Sequence, residues 1–337
     1  IDFTDGTGSL LLEPQRTNKI TYSDDFSDSS WNKAGVSLES GYLAPDGTIT
    51  ALKVTDTSGT GTGSMYFQSV LSNDSRSIWA KTVSGTGQAH LCSYFGNTNN
   101  TFTITNEWQR FIVNGTTTST GAGNFYAIDF RGDTDLSEII LWGAQCEVGD
   151  YATSYIPTSG STVTRSADVA NNSGNADLFN DSEGVLYAEI AALANDGTNR
   201  AIAISDGTTS NVVRFYYSVT DNRIVGNVKS SGSNVFTFNN VLTDATDFIK
   251  VAVSYKANDF KMYVDGVQVS TDTSGAVPTG LVELAFDNGA SADDFYGNTK
   301  AVAVFKEALS NDLLERLTGE GFESFRLLAE ANNYTII

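Results

Sequence analysis

The sequence predicts an all-β protein: two antiparallel β-sandwich (jelly-roll) domains with a short helical segment at the C-terminus. Three observations carry this expectation. The chain of 337 residues is longer than one small core usually spans. Its 31 Gly and abundant Ser and Thr separate short runs in which apolar and polar residues alternate. Two-residue turn signals punctuate those runs at Asp46-Gly47, Asn114-Gly115, Asp196-Gly197, Asp206-Gly207, Asp265-Gly266 and Asn288-Gly289, where Gly or Asn supplies the positive φ that tight hairpins need.

The strands follow from the alternation. Runs 201–205, 212–219, 249–255 and 261–264 have the period of two expected of half-buried strands. In FKMYVDGVQV, Met262 and Val264 alternate with Lys261 and Tyr263, Asp265-Gly266 turns the chain, and Val267 and Val269 return it, which is a hairpin. Trp108 and Trp142 sit among alternating apolar residues and read as core anchors. Helix is expected only near the end: Ser310 caps 311–318, Asp312 lies in the first turn, Arg316 in the last, and Gly319 stops it. A second amphipathic stretch, with Phe322, Phe325, Leu328 and Ala329 at helical spacing, follows.

The domain boundary falls where large apolar residues thin out. Residues 156–175 read IPTSGSTVTRSADVANNSGN, the composition of a surface connection, so domains are drawn at 1–160 and 176–337 with a linker at 161–175. The net charge is −20, with 9 basic and 17 acidic residues in 1–166 and 11 and 23 in 167–337. Such a surface repels phosphates, so no nucleic-acid partner is expected. No apolar stretch reaches the roughly 20 residues that span a bilayer, and membrane insertion is not expected. The chain opens on Ile1 and moves straight into patterned sequence, which reads as a piece of a longer polypeptide. Cys92 and Cys146 each lie in an apolar run and read as buried thiols, with a disulfide as the alternative; neither has a Cys or His at zinc-ligand spacing.

Two segments carry a resemblance. SLLLEPQRTNKITYSDDFSDSSW (9–31) and LWGAQCEVGDYATSYIPTSGSTVTRSADV (141–169) resemble the two ends of a module recurrent in phage virion proteins, itself similar to jelly-roll carbohydrate-binding modules. The second half resembles a concanavalin A-like lectin/glucanase domain of the laminin G type, through FKMYVDGVQV and AVAVFKEALSNDLLERLTG. The tail FESFRLLAEANNYTII resembles the endings of phage fibre and appendage proteins. The resemblance implies a non-catalytic glycan-binding or adhesion module on the virion surface that contacts host polysaccharide and other virion proteins. By analogy with fibres it implies a homotrimer.

Sugar recognition needs an aromatic face for the C–H side of a pyranose and amide, carboxylate or guanidinium groups for its hydroxyls. In the first domain, Tyr66, Gln68, Trp79, Tyr94 and Asn97, with Asn99 and Asn100 beside them, fall on or near runs expected to be neighbouring strands. In the second, Arg214, Tyr216 and Ser218 share one strand face by their spacing of two, and Asn234 and the loop residues Asp293, Asp294 and Tyr296 complete the candidates. For the aromatics of the first domain a core-facing role is equally open, and for the Arg214 stripe a solvated outer face. The resembled families also imply a structural Ca2+, for which Asn18, Asp25 and Glu147 are the candidate ligands; no spaced D-x-D-x-D-G loop is present.

An enzyme is not expected. The E-x-D-x-x-E strand of the related glucanases is missing, and Glu283 and Asp287 are the closest pair to it. The single histidine, His90, limits nucleophilic triads to those it could serve, and its Q-A-H setting lacks the Arg-rich and Tyr-bearing strands of alginate lyases. Arg131-Gly132-Asp133 reads as a charged turn, and the 59–63 stretch GTGTG lacks the Lys and helix of a phosphate loop. Two other classes stay open: a purely structural virion decoration or adaptor protein, and a polysaccharide hydrolase or lyase.

Overall fold

The computed structural model describes residue 2 and residues 6–68, 74–92, 100–116 and 125–319. The described residues are all-β with antiparallel sheets and one short helix, and the chain divides into two units: Gln15–Ala167, and Ile1–Pro14 together with Asp168–Ile337. The first strand, β1 (Leu10–Leu12), belongs to the second of these. The unit Gln15–Ala167 therefore sits in the sequence as an insertion after Pro14.

The inserted unit holds β2 (Arg16–Asn18), β3 (Trp31–Ala34), β4 (Val36–Tyr42), β5 (Ala51–Asp56), β6 (Ser64–Gln68), β7 (Asp74–Lys81), β8 (Gly87–Leu91), β9 (Thr101–Ile104), β10 (Gln109–Thr116), β11 (Phe125–Asp129), β12 (Glu138–Val148) and β13 (Val163–Arg165). Two five-stranded sheets, β10-β7-β12-β5-β4 and β3-β6-β11-β8-β9, contribute alternate residues to one core that includes Met65, Ile78, Leu91, Tyr126 and Leu141. Trp31 is buried there, its indole N–H donating to Tyr22 O at 2.9 Å. Both cysteines are buried free thiols, as the apolar runs predict. Burial pushes the Cys92 thiol up to about 12 and that of Cys146 well above its ordinary value. β2 and β13 close the unit as a two-stranded ribbon, Arg16 opposite Arg165.

The other unit holds β1, β14 (Glu183–Ala192), β15 (Arg200–Ser205), β16 (Val212–Tyr217), β17 (Arg223–Ser230), β18 (Ser233–Val241), β19 (Ile249–Lys256), β20 (Asp259–Val264), β21 (Val267–Asp272), β22 (Glu283–Ala285), β23 (Gly297–Phe305) and α1 (Asn311–Thr318). A six-stranded sheet, β1-β23-β14-β19-β20-β21, and a five-stranded sheet, β18-β17-β16-β15-β22, share the core of Leu186, Ile202, Phe215, Ile224, Val253 and Met262. The expected hairpin is β20–β21, with Asp265 at φ 47 and Gly266 at φ 81. Helix α1 begins at the expected cap, Ser310 accepting from Leu313 N, and buries Leu314 and Leu317. The second amphipathic stretch, with Phe322, Phe325, Leu328 and Ala329, lies outside the described residues.

Three local expectations change. Residues 1–14 carry a strand of the second unit, because Leu12 fills its core and Glu13 exchanges hydrogen bonds with Asp168. The stretch 161–175 holds β13 and a bridge from Ser173 to Leu284; short edge pairings need no large apolar residues, so composition alone reads as linker. Asn114-Gly115 makes a bulge within β10 rather than a turn, with Gly115 at φ 63.

Candidate functional site

The face of β16, β17 and β18 that points away from the core gathers the second domain's candidates. Val213 and Phe215 enter the core, which turns Arg214 and Tyr216 outward and half-exposes them. Arg214 Nε donates to Asn227 Oδ1 at 3.1 Å and Nη1 to Asn288 O at 3.3 Å, and its guanidinium lies 5.2 Å from the Tyr216 ring centre. Burial lowers the Arg214 pKa, opposed by Tyr216 and Asp293. Asn227 is buried and donates to Asn234 Oδ1 at 3.2 Å, Thr237 Oγ1 at 2.8 Å and Phe236 O at 3.1 Å. Arg214, Tyr216 and Asn234 thus meet on one face, joined by an amide that the sequence reasoning missed. The signal was in RIVGNVKS, where Asn227 has the parity opposite to core residues Ile224 and Val228.

The loop after β22 edges this face. Ser205 Oγ donates to Gly289 O at 3.1 Å, and Asn288 Nδ2 donates to Asp293 Oδ2 at 3.3 Å. Tyr296 OH donates to Asp294 Oδ2 at 2.9 Å, so its hydroxyl is committed to its own loop. Ser218 lies just past β16 and donates to Thr220 O. Glu283 accepts from Ser205 Oγ, while the buried Asp287 accepts from Gly289 N and Asn171 Nδ2. Glu283 is thus bonded to its strand neighbour on β15, and Asp287 fastens the loop.

The first domain's candidates do not form one groove. Tyr66 lies on β6 and Trp79 on β7, and these consecutive strands belong to different sheets. Tyr66 packs 4.6 Å from the Phe125 ring. Trp79 sits opposite Trp142 on the outer face of the other sheet, in a cluster with Tyr42, Trp108 and Tyr155. Trp142 anchors this cluster rather than the main core, its N–H donating to Thr50 Oγ1 at 3.0 Å; Trp108 is half-exposed beside it and donates to Leu43 O. Tyr94, Asn97, Asn99 and the side chain of Gln68 lie outside the described residues, and Asn100 follows them.

The residues proposed for calcium do not fit the ion. Asn18 is buried and spends its whole carboxamide on the chain: Nδ2 donates to Ala144 O and Ile156 O, and Oδ1 accepts from Ile20 N and Cys146 N. Glu147, also buried, accepts from Gln145 Nε2, Thr153 N and Thr153 Oγ1, with Arg16 Nε 3.8 Å away. Asp25 is exposed and closes a turn onto Ser27. Among the described residues no three His, Cys, Asp or Glu side chains form a metal cluster. His90 is buried between Thr101 Oγ1, 3.0 Å from Nδ1, and Asp133 Oδ1, 3.2 Å from Nε2, while Arg131 pairs with Asp129.

Parts of the chain are similar to known proteins. Residues 164–313 match the family model described as the concanavalin A-like lectin/glucanases superfamily. That span contains the whole Arg214 face. No curated protein sequence matches the chain. Among solved structures, the CBM40 module of Ruminococcus gnavus IT-sialidase is 15% identical and aligns over 45% of this chain and 96% of its own, with a TM-score of 0.37. A SAP-like pentraxin from Limulus polyphemus is 10% identical over 44% of this chain and 78% of its own, at 0.35. Sheep galectin-11 is 13% identical over 41% and 97%, at 0.28.

Proposed function

We propose that the protein is a non-catalytic glycan-binding and adhesion module of a phage virion protein, held on the particle surface, where it contacts host cell-surface polysaccharide. One observation supports the binding reading most: a half-exposed Tyr216 ring with the Arg214 guanidinium 5.2 Å from its centre, and Asn227 linking Arg214 to Asn234 on the same face, within a span similar to concanavalin A-like lectins. This supplies a ring face for sugar C–H groups beside donors and acceptors for hydroxyls. The non-catalytic reading rests on the commitment of Glu283 to Ser205 on β15 and of Asp287 to its own loop. The virion setting, the surface location and the trimer rest on the resemblance of the sequence segments. Single sites of this kind bind weakly, so attachment would come from several copies acting together.

A second reading, a structural adaptor that docks other virion proteins, is favoured by the aromatic face of the inserted unit, beside which Leu43 and Ile112 are exposed. A glycan array probed with the full chain and with Tyr216→Ala decides between them. Spots that bind the parent and lose at least about tenfold signal with the variant support glycan recognition. An array without carbohydrate signal, with Trp108→Ala weakening capture of a virion protein, supports the adaptor.

A further inference from the structure

Resting on the glycan-binding reading, we infer that the β16–β18 face selects acidic polysaccharide, chains bearing carboxylate or sulfate groups, over neutral ones. The argument is one of misplaced charge. This half of the chain carries 11 basic against 23 acidic residues, so its cations would be expected to find carboxylates. Four do: Arg200 pairs with Asp196, Lys256 with Glu183, Lys261 with Asp259 and Arg316 with Asp312. Of the other described cations, Lys250 and Lys306 donate to the backbone carbonyls of Gly319 and Asp177 and Lys300 lies 4.0 Å from the Phe248 ring centre, whereas Arg214, Arg223 and Lys229, which make no ion pair among the described residues, are gathered on this one face. Arg223 and Lys229 share the parity of Asn227 on β17, opposite to core residues Ile224 and Val228. Arg214 lies directly across from Asn227.

The strands that carry these cations hold no carboxylate at all: VVRFYY, RIVGNVKS and SNVFTFNNV contain neither Asp nor Glu. The nearby acids stand off the strands, with Asp221 in the β16–β17 turn and Glu283, Asp287, Asp293 and Asp294 on β22 and its loop. Asp293 acts on Arg214 through its charge and bonds instead to Asn288. Arg214 is held by neutral partners only, Asn227 Oδ1, Asn288 O and the Tyr216 ring. Arg223 Nε is buried without a hydrogen-bond partner. A half-buried guanidinium fixed by neutral groups keeps its charge and its fork geometry for an incoming anion, where a paired one would not.

The row has length as well as charge. From Arg223 to Lys229 along β17 is about 20 Å at strand rise, the reach of an oligosaccharide segment rather than one sugar, with Tyr216 beside it for stacking. Anionic groups repeated along a polymer would meet Arg223, Arg214 and Lys229 in turn.

The test uses the full chain and calorimetric titration at low and high salt with polygalacturonate (carboxylate), heparin (sulfate), dextran (neutral) and a short DNA duplex. Binding to one or both acidic polysaccharides at least about tenfold tighter than to dextran is expected, weakening as salt screens the charges. Lys229→Gln should lower that affinity while leaving the melting temperature and any dextran binding in place, and Arg214→Gln should lower the acidic-chain affinity further. Equal affinity for dextran, or acidic-chain binding unaffected by both variants, overturns the inference but leaves glycan binding standing. Binding to no polysaccharide defeats both. DNA binding as tight as that of the acidic sugars marks a general polyanion surface and also overturns it.

Discussion

The outer faces of two five-stranded sheets, one in each unit, cover their strands in opposite ways. In the inserted unit the face is aromatic: three of the chain's four tryptophans, Trp79, Trp108 and Trp142, gather there with Tyr42 and Tyr155 around a ring that is buried. Its cations are spent within the face, Lys53 pairing with Glu39 at 2.8 Å and Lys81 lying 5.3 Å from the Trp108 ring centre. In the other unit the face is polar and is organised around a buried amide, Asn227, which fixes an arginine, while its cations find no carboxylate among the described residues. A buried ring gains from leaving water and makes a face that is largely self-sufficient. A buried amide must be bonded, so it spends its capacity orienting neighbours and leaves their charge outward.

The sharpest way to break this contrast is at its two centres. Trp142→Ala should cost about 3–5 kcal/mol of stability in denaturant titration, the range for emptying a buried aromatic site, whereas Trp108→Ala at the half-exposed edge should cost far less. Equal costs would mean the aromatic face has no buried centre. Next in size, Asn227→Ala should cost about 1–3 kcal/mol, because it strips Arg214 Nε, Asn234 and Thr237 of a shared partner. Calorimetric affinity for sugar should fall with it; unchanged affinity would detach the amide from the face.

The smallest effect is electrostatic. Burial raises the Asp196 carboxyl, but its bonds to Arg200 and Thr198 outweigh that and hold it below the usual carboxylate range. A depressed folded value stabilises above the unfolded pKa, near 4, and is lost as the pH falls through the folded one. Asp196→Asn should therefore lower the melting temperature at pH 7 by an amount worth about 1 kcal/mol or less, and the gap should close as the pH falls through the depressed folded value. A gap that persists in acid would assign the effect to packing.

Much of this was legible in the sequence, and the limits are instructive. Alternation fixes which residues of one strand share a face, so Arg214 and Tyr216 were found together, as were the β20–β21 hairpin and α1 with its Ser310 cap. Alternation does not say which sheet the next strand joins. Tyr66 and Trp79 looked like neighbours, yet the chain changes sheet between β6 and β7. Trp142 likewise matched a core pattern because β12 is buried on both faces, one in the main core and the other under aromatic cover. Asn18 and Glu147 entered as ligands through the resemblance alone, and the letters do not show that their polar atoms are spent on the chain's own hydrogen bonds.

The pairing of Leu10 with Thr299 has a consequence for the nascent chain. β1 is made well before its partner β23, and closing so long a loop costs entropy that grows with the logarithm of its length. Gln15–Ala167 can fold meanwhile, and the β2–β13 ribbon then brings its ends together, so most of the intervening chain no longer counts toward the closure. On this view the insertion is a timing device: early maturation of the middle shortens the search that completes the outside.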